Sequence, residues 1–515
     1  VVRQDDAREH MAEQLLQLVP FILSEDQTDA SFGRILHTEN AFDDYKREVL
    51  IPYKQSTLGP ALESGDLNGD GLDDLFLGGS AGHSCKLLLQ TPTGKFQTSD
   101  RGPWQAYSAS EVLDVLFFDA DGDGDRDVLT ISGSNEFPVG DKRYGDHLYL
   151  NDGKARFSDG TSRLPALYFS KGVARAADVD LDGDLDLFLG GRLVPGKYGL
   201  SEQSSLLLNE GGKFSDATAT WLPSLAKAFE CVTSACFADL DRDGDPDLVV
   251  AGEWAPVRIF RNERNAFSEQ SASLGTDQLY GWWNAVEAAD LNGDGWVDLV
   301  LGNLGLNSKF KATAEKPFFL YINDFDGNGS WDTYLASKGS EGKLYPVRGR
   351  QCSSEQMPFI ADKFKTYDHF ARASIEEILE GRMDGATIKK ATELRSMVLW
   401  NTGGGAFQAA PLPPEAQVST LQSIAFHDFN QDGRADLLLG GNFYNREVET
   451  ARNDASVGLI LLNTGGPDFI PVVNAIAGLQ LNRDLRELRM VRGADASWRI
   501  VAANNNDQLQ AFRVR

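Results

Sequence analysis

The sequence predicts an all-β fold, a seven-bladed β-propeller, on three observations. First, a nine-residue acidic motif recurs along the 515-residue chain. Second, a motif of two paired strands recurs after it, at a similar spacing. Third, two unpaired strand motifs near the ends of the chain complete each other. Self-similarity at a period of roughly 50 residues is typical of propeller blades.

The acidic motif has the form Asp-x-Asp/Asn-x-Asp/Asn-Gly-x-x-Asp. Most copies are followed directly by four or five apolar residues and a Gly, as at residues 75–79, which indicates a short buried strand. Apolar segments also precede the copies, so each loop joins the first and second strands of a blade. An EF-hand is excluded, because it needs flanking helices and a Glu at position 12. The copies begin at Asp66, Asp119, Asp178, Asp239, Asp290, Asp324 and Asp428.

The second motif is a strand, a Gly/Asn turn and a further strand that opens with Phe. A copy at residues 40–43 has no strand before it, and the last strand, at 509–512, has no Phe strand after it. We therefore predict that an N-terminal strand at about 40–46 closes the last blade. The complete copies have Phe96, Phe157, Phe214, Phe267, Phe407 and Phe469.

One acidic motif does not fit a regular ring. Asp324 follows Asp290 by only 34 residues, whereas Asp428 follows Asp324 by 104. We interpret residues 303–395 as an insertion between the second and third strands of blade five, with a helical cap over 359–379. The alternative is an eight-bladed ring in which Asp324 opens its own blade. The last blade, from about residue 485, has Gly-Ala-Asp-Ala at 493–496 in place of a loop.

The chain is divided accordingly into an N-terminal helical segment over 1–33 and a propeller over 34–515. Residues 6–23 have the apolar spacing of an amphipathic helix. Because its polar face is not basic, packing on the side of the propeller is favoured over a membrane-surface helix.

The motif suits Ca²⁺, which binds six to eight oxygen ligands. Side chains at positions 1, 3, 5 and 9 converge, position 7 offers its carbonyl oxygen, and Gly at position 6 folds the loop. Without a cation, so many carboxylates would repel one another. Magnesium fits less well, because it demands a tighter octahedron. Up to seven Ca²⁺ are predicted, on these ligands: Asp66, Asn68, Asp70, Leu72 and Asp74; Asp119, Asp121, Asp123, Asp125 and Asp127; Asp178, Asp180, Asp182, Asp184 and Asp186; Asp239, Asp241, Asp243, Asp245 and Asp247; Asp290, Asn292, Asp294, Trp296 and Asp298; Asp324, Asp326, Asn328, Ser330 and Asp332; Asp428, Asn430, Asp432, Arg434 and Asp436.

The composition narrows the classes of molecule that the protein could bind. A net charge of -27 argues against nucleic acid, which requires a basic surface. No apolar run is long enough to be a transmembrane segment. The four cysteines match no zinc spacing, and Cys231 and Cys236 either pair or remain free thiols. The chain starts at Val1, which would fit a processed product from which a signal peptide has been removed.

The acidic motif followed by Leu-Phe-Leu-Gly-Gly resembles the FG-GAP/VCBS repeat, the blade of integrin α-subunit heads and of many secreted bacterial proteins. The segments GPALESGDLNGDGLDDLFLGG, NDFDGNGSWD and NNNDQLQAF resemble a bacterial surface group related to cartilage acidic protein. This resemblance implies an extracellular, periplasmic or cell-surface location. It names no ligand, and the chain departs from the integrin pattern by its insertion.

The favoured function is a non-catalytic, calcium-stabilised propeller that binds a protein or glycan partner in the cell envelope. The alternative is a polysaccharide-active enzyme, a lyase or dehydratase, although the histidines form no evident triad or metal cluster. Ligand binding is expected on the face opposite the acidic loops, near blades three to seven and under the insertion, through exposed aromatic and polar side chains. The alternative for the aromatic residues is that they wedge adjacent blades together. The predicted ligand residues are Arg192, Tyr198, Trp254, Trp282, Trp283, Asn442 and Tyr444.

Overall fold

A computed structural model describes residues 24–227, 230–403 and 405–515. Over these residues the chain forms eight antiparallel sheets, each built on four strands, with a short fifth strand on one of them. The all-β class and the propeller architecture are therefore confirmed. The predicted helix over residues 6–23 lies outside the described residues.

Seven sheets are blades, and in the first six the four strands pair in chain order. Strand Gly281–Trp282 adds to the second strand of blade four. The strands of blades one to three are Leu62–Gly65, Asp74–Leu77, Lys86–Gln90, Phe96–Ser99; Val112–Phe118, Asp127–Ser132, His147–Asn151, Phe157–Asp159; and Ser170–Ala177, Asp186–Leu193, Ser205–Asn209, Phe214–Asp216. Those of blades four to six are Cys231–Ala238, Asp247–Ala255, Arg258–Asn262, Phe267–Glu269; Ala285–Ala289, Asp298–Gly302, Met397–Trp400, Gln408–Pro411; and Ser423–His427, Asp436–Gly440, Leu459–Asn463, Phe469–Pro471.

The first strands of the blades surround the axis. Each contacts the first strand of the next blade, and the first strand of blade seven, Leu485–Arg492, contacts that of blade one, which closes a ring of seven sheets. The second strands are buried along their whole length in blades one to six, because both of their faces pack against neighbouring blades. Apolar clusters between the blades form the core.

Blade seven is closed by an N-terminal strand, but not by the predicted one. Its strands are Leu485–Arg492, Trp498–Asn504, Gln510–Val514 and, outermost, Ser24–Asp26, which pairs antiparallel with Gln510–Val514. The prediction of a closing strand at 40–46 is wrong. Residues Asp44–Lys46 form a 3-10 helix instead, and the buried Asp44 carboxylate binds the backbone N–H groups of Gln55 and Ser56.

The insertion between Gly302 and Met397 contains the eighth sheet. Its strands run in the order Leu344–Pro346, Asp332–Lys338, Phe318–Asn323 and Thr387–Ala391. Four short helices, Arg350–Gln356, Phe359–Lys363, Tyr367–Ala371 and Ile375–Ile378, pack on one face of this sheet. The predicted helical cap is therefore present, but it covers a sheet that the sequence analysis did not predict.

The remaining helical turns lie in connections. They are Thr28–Phe32, Thr218–Trp221 and Asn474–Ala477, with 3-10 turns at Trp104–Tyr107, Lys142–Tyr144, Thr161–Arg163 and Pro414–Gln417. Within the described ranges no helix is long and apolar enough to cross a membrane. Cys231 and Cys236 are free thiols on the first strand of blade four.

Candidate metal centre and ligand face

All seven acidic loops share one backbone conformation. Position 6 is a Gly with positive φ in every loop, from Gly71 at 83° to Gly183 at 103°. Position 4 is also left-handed: it is Gly in four loops, whereas Leu181, Arg242 and Gln431 adopt φ of 61°, 63° and 59° in the other three. A residue with a side chain pays an energy cost at positive φ. These three loops therefore hold the shared conformation against the preference of their own position-4 residues.

The first aspartate of each loop fixes that conformation. In loop two, Asp119 accepts the N–H groups of Gly122 at 2.8 Å and Gly124 at 2.9 Å, one on each carboxylate oxygen. The same two bonds recur in the other loops with Gly at position 4, for example from Gly69 and Gly71 to Asp66. In the other three loops the N–H of position 5 replaces that of position 4, as Asp182 does on Asp178. The N–H groups thus hold the carboxylate in place at the entry of the loop.

The ninth aspartate joins the loop to the rest of its blade. Asp127 accepts the N–H of Ala120 at 2.9 Å and that of Asn151, on the third strand, at 2.8 Å. Burial raises its pKa to about 7, although both N–H groups oppose the rise. Asp74, Asp186, Asp247, Asp298 and Asp436 follow the same pattern, whereas Asp332 in the insertion accepts the N–H of Phe325 and the side-chain N–H of Gln356. Burial raises the pKa of all six to about 6 or 7.

Four loops bring three carboxylate oxygens within 4.8 Å of one another. They are the loops with Asp at position 3, and the groups are Asp119, Asp121 and Asp127; Asp178, Asp180 and Asp186; Asp239, Asp241 and Asp243; and Asp324, Asp326 and Asp332. Loop two also passes a test of fit, since Asp121 Oδ1 is buried and accepts no hydrogen bond from any described residue. A hard cation would satisfy this oxygen.

The other three loops have Asn68, Asn292 or Asn430 at position 3. An amide oxygen is also a calcium ligand, so these loops keep an oxygen donor at that position with one charge fewer. Arginine side chains form ion pairs with some loop aspartates. Arg434 lies 2.9 Å from Asp432, and Arg261 lies 2.8 Å from Asp241. The contribution of the position-7 carbonyl oxygens stays a prediction.

The predicted ligand face is largely a packing interface. All seven of its residues were expected to be exposed, but Trp283 and Asn442 are fully buried, Trp282 is 2% exposed and Trp254 1%. Arg192 and Tyr198 are also buried, and both bind the Glu253 carboxylate, at 2.8 Å and 3.1 Å. The expectation of exposure is wrong for these six residues, and only Tyr444 is partly exposed.

The inserted sheet explains the burial of Tyr198, Trp254 and Trp282. Phe318 and Leu320 on its inner face join Trp254 and Trp282 in one apolar cluster. The backbone of Trp254 is in the left-handed region, with φ of 58°. Its indole N–H donates to Tyr198 Oη at 3.0 Å. Tyr198, Trp254 and Trp282 therefore seat the insertion on the propeller, whereas Trp283 packs between blades four and five.

The axis of the ring carries charges that the sequence analysis missed. Arg489 contacts Glu63 at 3.2 Å and Glu487 at 2.8 Å, and Arg175 contacts Asp114 at 3.0 Å. All lie on the first strands of their blades. A charged residue at the middle of a strand that otherwise reads as buried is the signal that could have identified them.

A comparison with known protein families supports the repeat that the sequence analysis identified. The model of the FG-GAP-like repeat family matches residues 66–130, 198–250 and 239–301. The chain is a β-propeller that contains FG-GAP-like repeats within these residues. No curated protein is similar to it in sequence.

Several solved structures resemble this chain at low identity. The Vibrio cholerae biofilm matrix protein Bap1 is 10% identical, with a TM-score of 0.39, covering 96% of this chain and 91% of Bap1. The Dos1 propeller is 9% identical, with a TM-score of 0.38, covering 90% and 82%. YCF48 bound to a D1 peptide is 8% identical, with a TM-score of 0.38, covering 93% and 97%.

Proposed function

We propose that this FG-GAP propeller is a non-catalytic binding scaffold stabilised by Ca²⁺, which acts outside the cell, in the periplasm or at the cell surface. The observation that carries the proposal is the set of four loops in which three carboxylate oxygens lie within 4.8 Å of one another. The proposed location rests on the resemblance of these blades to those of secreted and surface proteins, which work where calcium is plentiful.

Calcium would be held by positions 1, 3, 5 and 9 and by the position-7 carbonyl oxygen. It would bind the native state, since the unfolded chain does not bring these positions together. Each site then adds about 2.7 kcal/mol of stability when calcium exceeds its Kd a hundredfold. The bound ions would also reduce the net charge of -27.

The scaffold role follows from the way the blades are built. In the six blades that carry a loop, the ninth aspartate ties the loop to the end of the third strand of the same blade, so metal binding would stiffen the ring rather than place a reactive group. The partner, a protein or a glycan, would then bind on the opposite face, where the linkers between blades vary in length and sequence.

Thermal melting of the full chain tests the proposal. In excess EGTA the melting temperature is expected to fall by many degrees, and Ca²⁺ should restore it at lower concentration than Mg²⁺. An unchanged melt in EGTA would overturn the calcium assignment. The non-catalytic assignment is tested separately by incubation with acidic polysaccharides, since new absorbance from an unsaturated product would identify a lyase.

A further inference from the structure

A cavity of about 410 Å³ lies on the axis of the ring. All seven blades contribute to its wall through their first strands, with residues that include Glu63, Asp114, Arg175, Ser234, Glu287, Ile424 and Arg489. The volume falls within the range of small-molecule sites. Because paired strands form the wall, its polar side chains are presented from rigid elements.

The cavity is closed at the end away from the acidic loops. Beyond Thr233, near the start of the first strand of blade four, it narrows to a space of about 90 Å³. This space is lined by Tyr53, Arg192, Glu253 and Phe443, which are all buried. The acidic loops follow the other ends of the first strands, so a ligand would enter from the face that carries the loops.

Carboxylates outnumber guanidinium groups in the wall of the cavity. Arg489 contacts both Glu63 and Glu487, and Arg175 contacts Asp114. Two negative charges are therefore in excess, one on Glu287 and one shared between Glu63 and Glu487. The charged residues of the wall are Glu63, Asp114, Glu287 and Glu487, with Arg175 and Arg489.

Glu287 has no ion pair and accepts no hydrogen bond from any described residue. The residue is partly exposed and neither carboxylate oxygen is buried, so both can be reached from the cavity. Burial raises its pKa against the attraction of Arg175 and Arg489. Burial likewise raises the pKa of Glu487 to about 7, although Arg489 lowers it. Both carboxylates thus lack positive charge nearby.

The wall favours an organic cation over a divalent metal ion. Within the described part of the chain, the groups that bring three carboxylate oxygens together all lie in the acidic loops. Ca²⁺ needs several such oxygens at one point, whereas an ammonium group can pair with one carboxylate and neutral acceptors. Asn284 and Gln422 provide side-chain amides in the wall, and Leu116, Val173 and Leu488 provide aliphatic carbon.

We propose that this axial cavity, defined by Glu63, Glu287, Glu487 and Leu116, binds a short aliphatic diamine. One ammonium group pairs with Glu287, the other pairs with Glu63 and Glu487, and the carbon chain packs on the aliphatic wall. The inference goes beyond the scaffold function, because it assigns a small-molecule site on the loop side of the ring. A long polymer is disfavoured, since the cavity ends at Tyr53.

Isothermal titration calorimetry of the full chain tests this proposal, in saturating calcium and at physiological ionic strength. Calcium then occupies the loops, and salt screens the exposed acidic surface. Putrescine, a four-carbon diamine, should bind with a stoichiometry of one. Butylamine, which lacks the second ammonium group, should bind at least tenfold more weakly, and the neutral butanediol should not bind. Equal affinity for butylamine or for butanediol would overturn the diamine assignment.

Matched variants locate the site. Glu287→Gln keeps the shape of the side chain but removes the unpaired charge, so it should weaken putrescine binding at least tenfold without lowering the melting temperature. Glu341→Gln removes the same charge from an exposed turn and should have no effect on binding. Unchanged putrescine binding in Glu287→Gln would overturn the site. If calcium raises the melting temperature but putrescine does not bind, the cavity assignment alone fails.

Discussion

Asn151 on blade two donates its side-chain N–H to the carbonyl oxygen of Leu67 in the acidic loop of blade one, at 2.8 Å. The backbone N–H of the same residue binds Asp127 in its own blade. One asparagine thus links the loops of two successive blades. The link occurs five times in the ring, on Asn151, Asn209, Asn262, Asn401 and Asn463.

Replacing Asn151 with Ala should destabilise the whole ring, because the Leu67 carbonyl would lose a buried hydrogen bond between blades. We expect a loss of about 1–3 kcal/mol in the free energy of unfolding, measured by urea denaturation in calcium. Asn265→Ala, at an exposed turn, is the control and should change this value by less than about 0.5 kcal/mol. Equal effects of the two substitutions would show that the link between blades adds no stability.

Two aspartates of loop two should separate metal binding from folding. Asp121 has an unpartnered oxygen in the carboxylate group, so Asp121→Asn should weaken the stabilisation by calcium but leave the melt in EGTA nearly unchanged. Asp127 accepts backbone N–H groups on both oxygens, so Asp127→Asn should lower stability even in EGTA, by about 1–3 kcal/mol. If both variants behave alike in EGTA, the two positions do not have separate roles.

The strand pattern and the repeat could be predicted from the sequence because each blade repeats the same local rules. The loop at Asp324 could be placed in an insertion from its spacing alone. The closing strand could not: Ser24–Asp26 has no strand pattern of its own, and pairs because Gln510–Val514 offers it an unpaired edge. Likewise, the local sequence could not show that Trp254 and Trp282 are buried, because the inserted sheet that covers them is distant in sequence.

Trp282 is expected to hold the insertion on the ring. Its ring centroid lies 4.9 Å from that of Trp254 and 5.8 Å from that of Phe310, which belongs to the insertion. Trp282→Ala should therefore cost about 3–5 kcal/mol in the free energy of unfolding. It should also speed proteolysis within residues 303–395 before the blades are cut. Tyr367→Ala, at a 62% exposed side chain, is the control, and equal proteolysis in both variants would contradict the packing role.

Glu39 is a buried carboxylate on the segment that follows the closing strand. Its side chain is 6% exposed, Oε1 accepts the side-chain N–H of Asn505, and Oε2 has no hydrogen-bond partner within the described part of the chain. Burial raises its pKa from 4.5 to about 7, the Asn505 bond and Arg486 lower it, and Glu136 and Asp484 raise it further.

This shift predicts a pH-dependent stability with a definite sign. Between about pH 4.5 and pH 7 the unfolded chain releases the Glu39 proton while the folded chain keeps it, so folding loses stability as the pH rises through this window. Glu39→Gln keeps an oxygen for Asn505 and places an N–H group at the unpartnered position. In saturating calcium, its free energy of unfolding should exceed that of the wild type by about 1–3 kcal/mol at pH 8 and differ little at pH 5. Urea denaturation at both pH values measures this difference, with Glu341→Gln at an exposed turn as the control. A difference that is equal at pH 5 and pH 8 would rule out Glu39 as a source of the pH dependence.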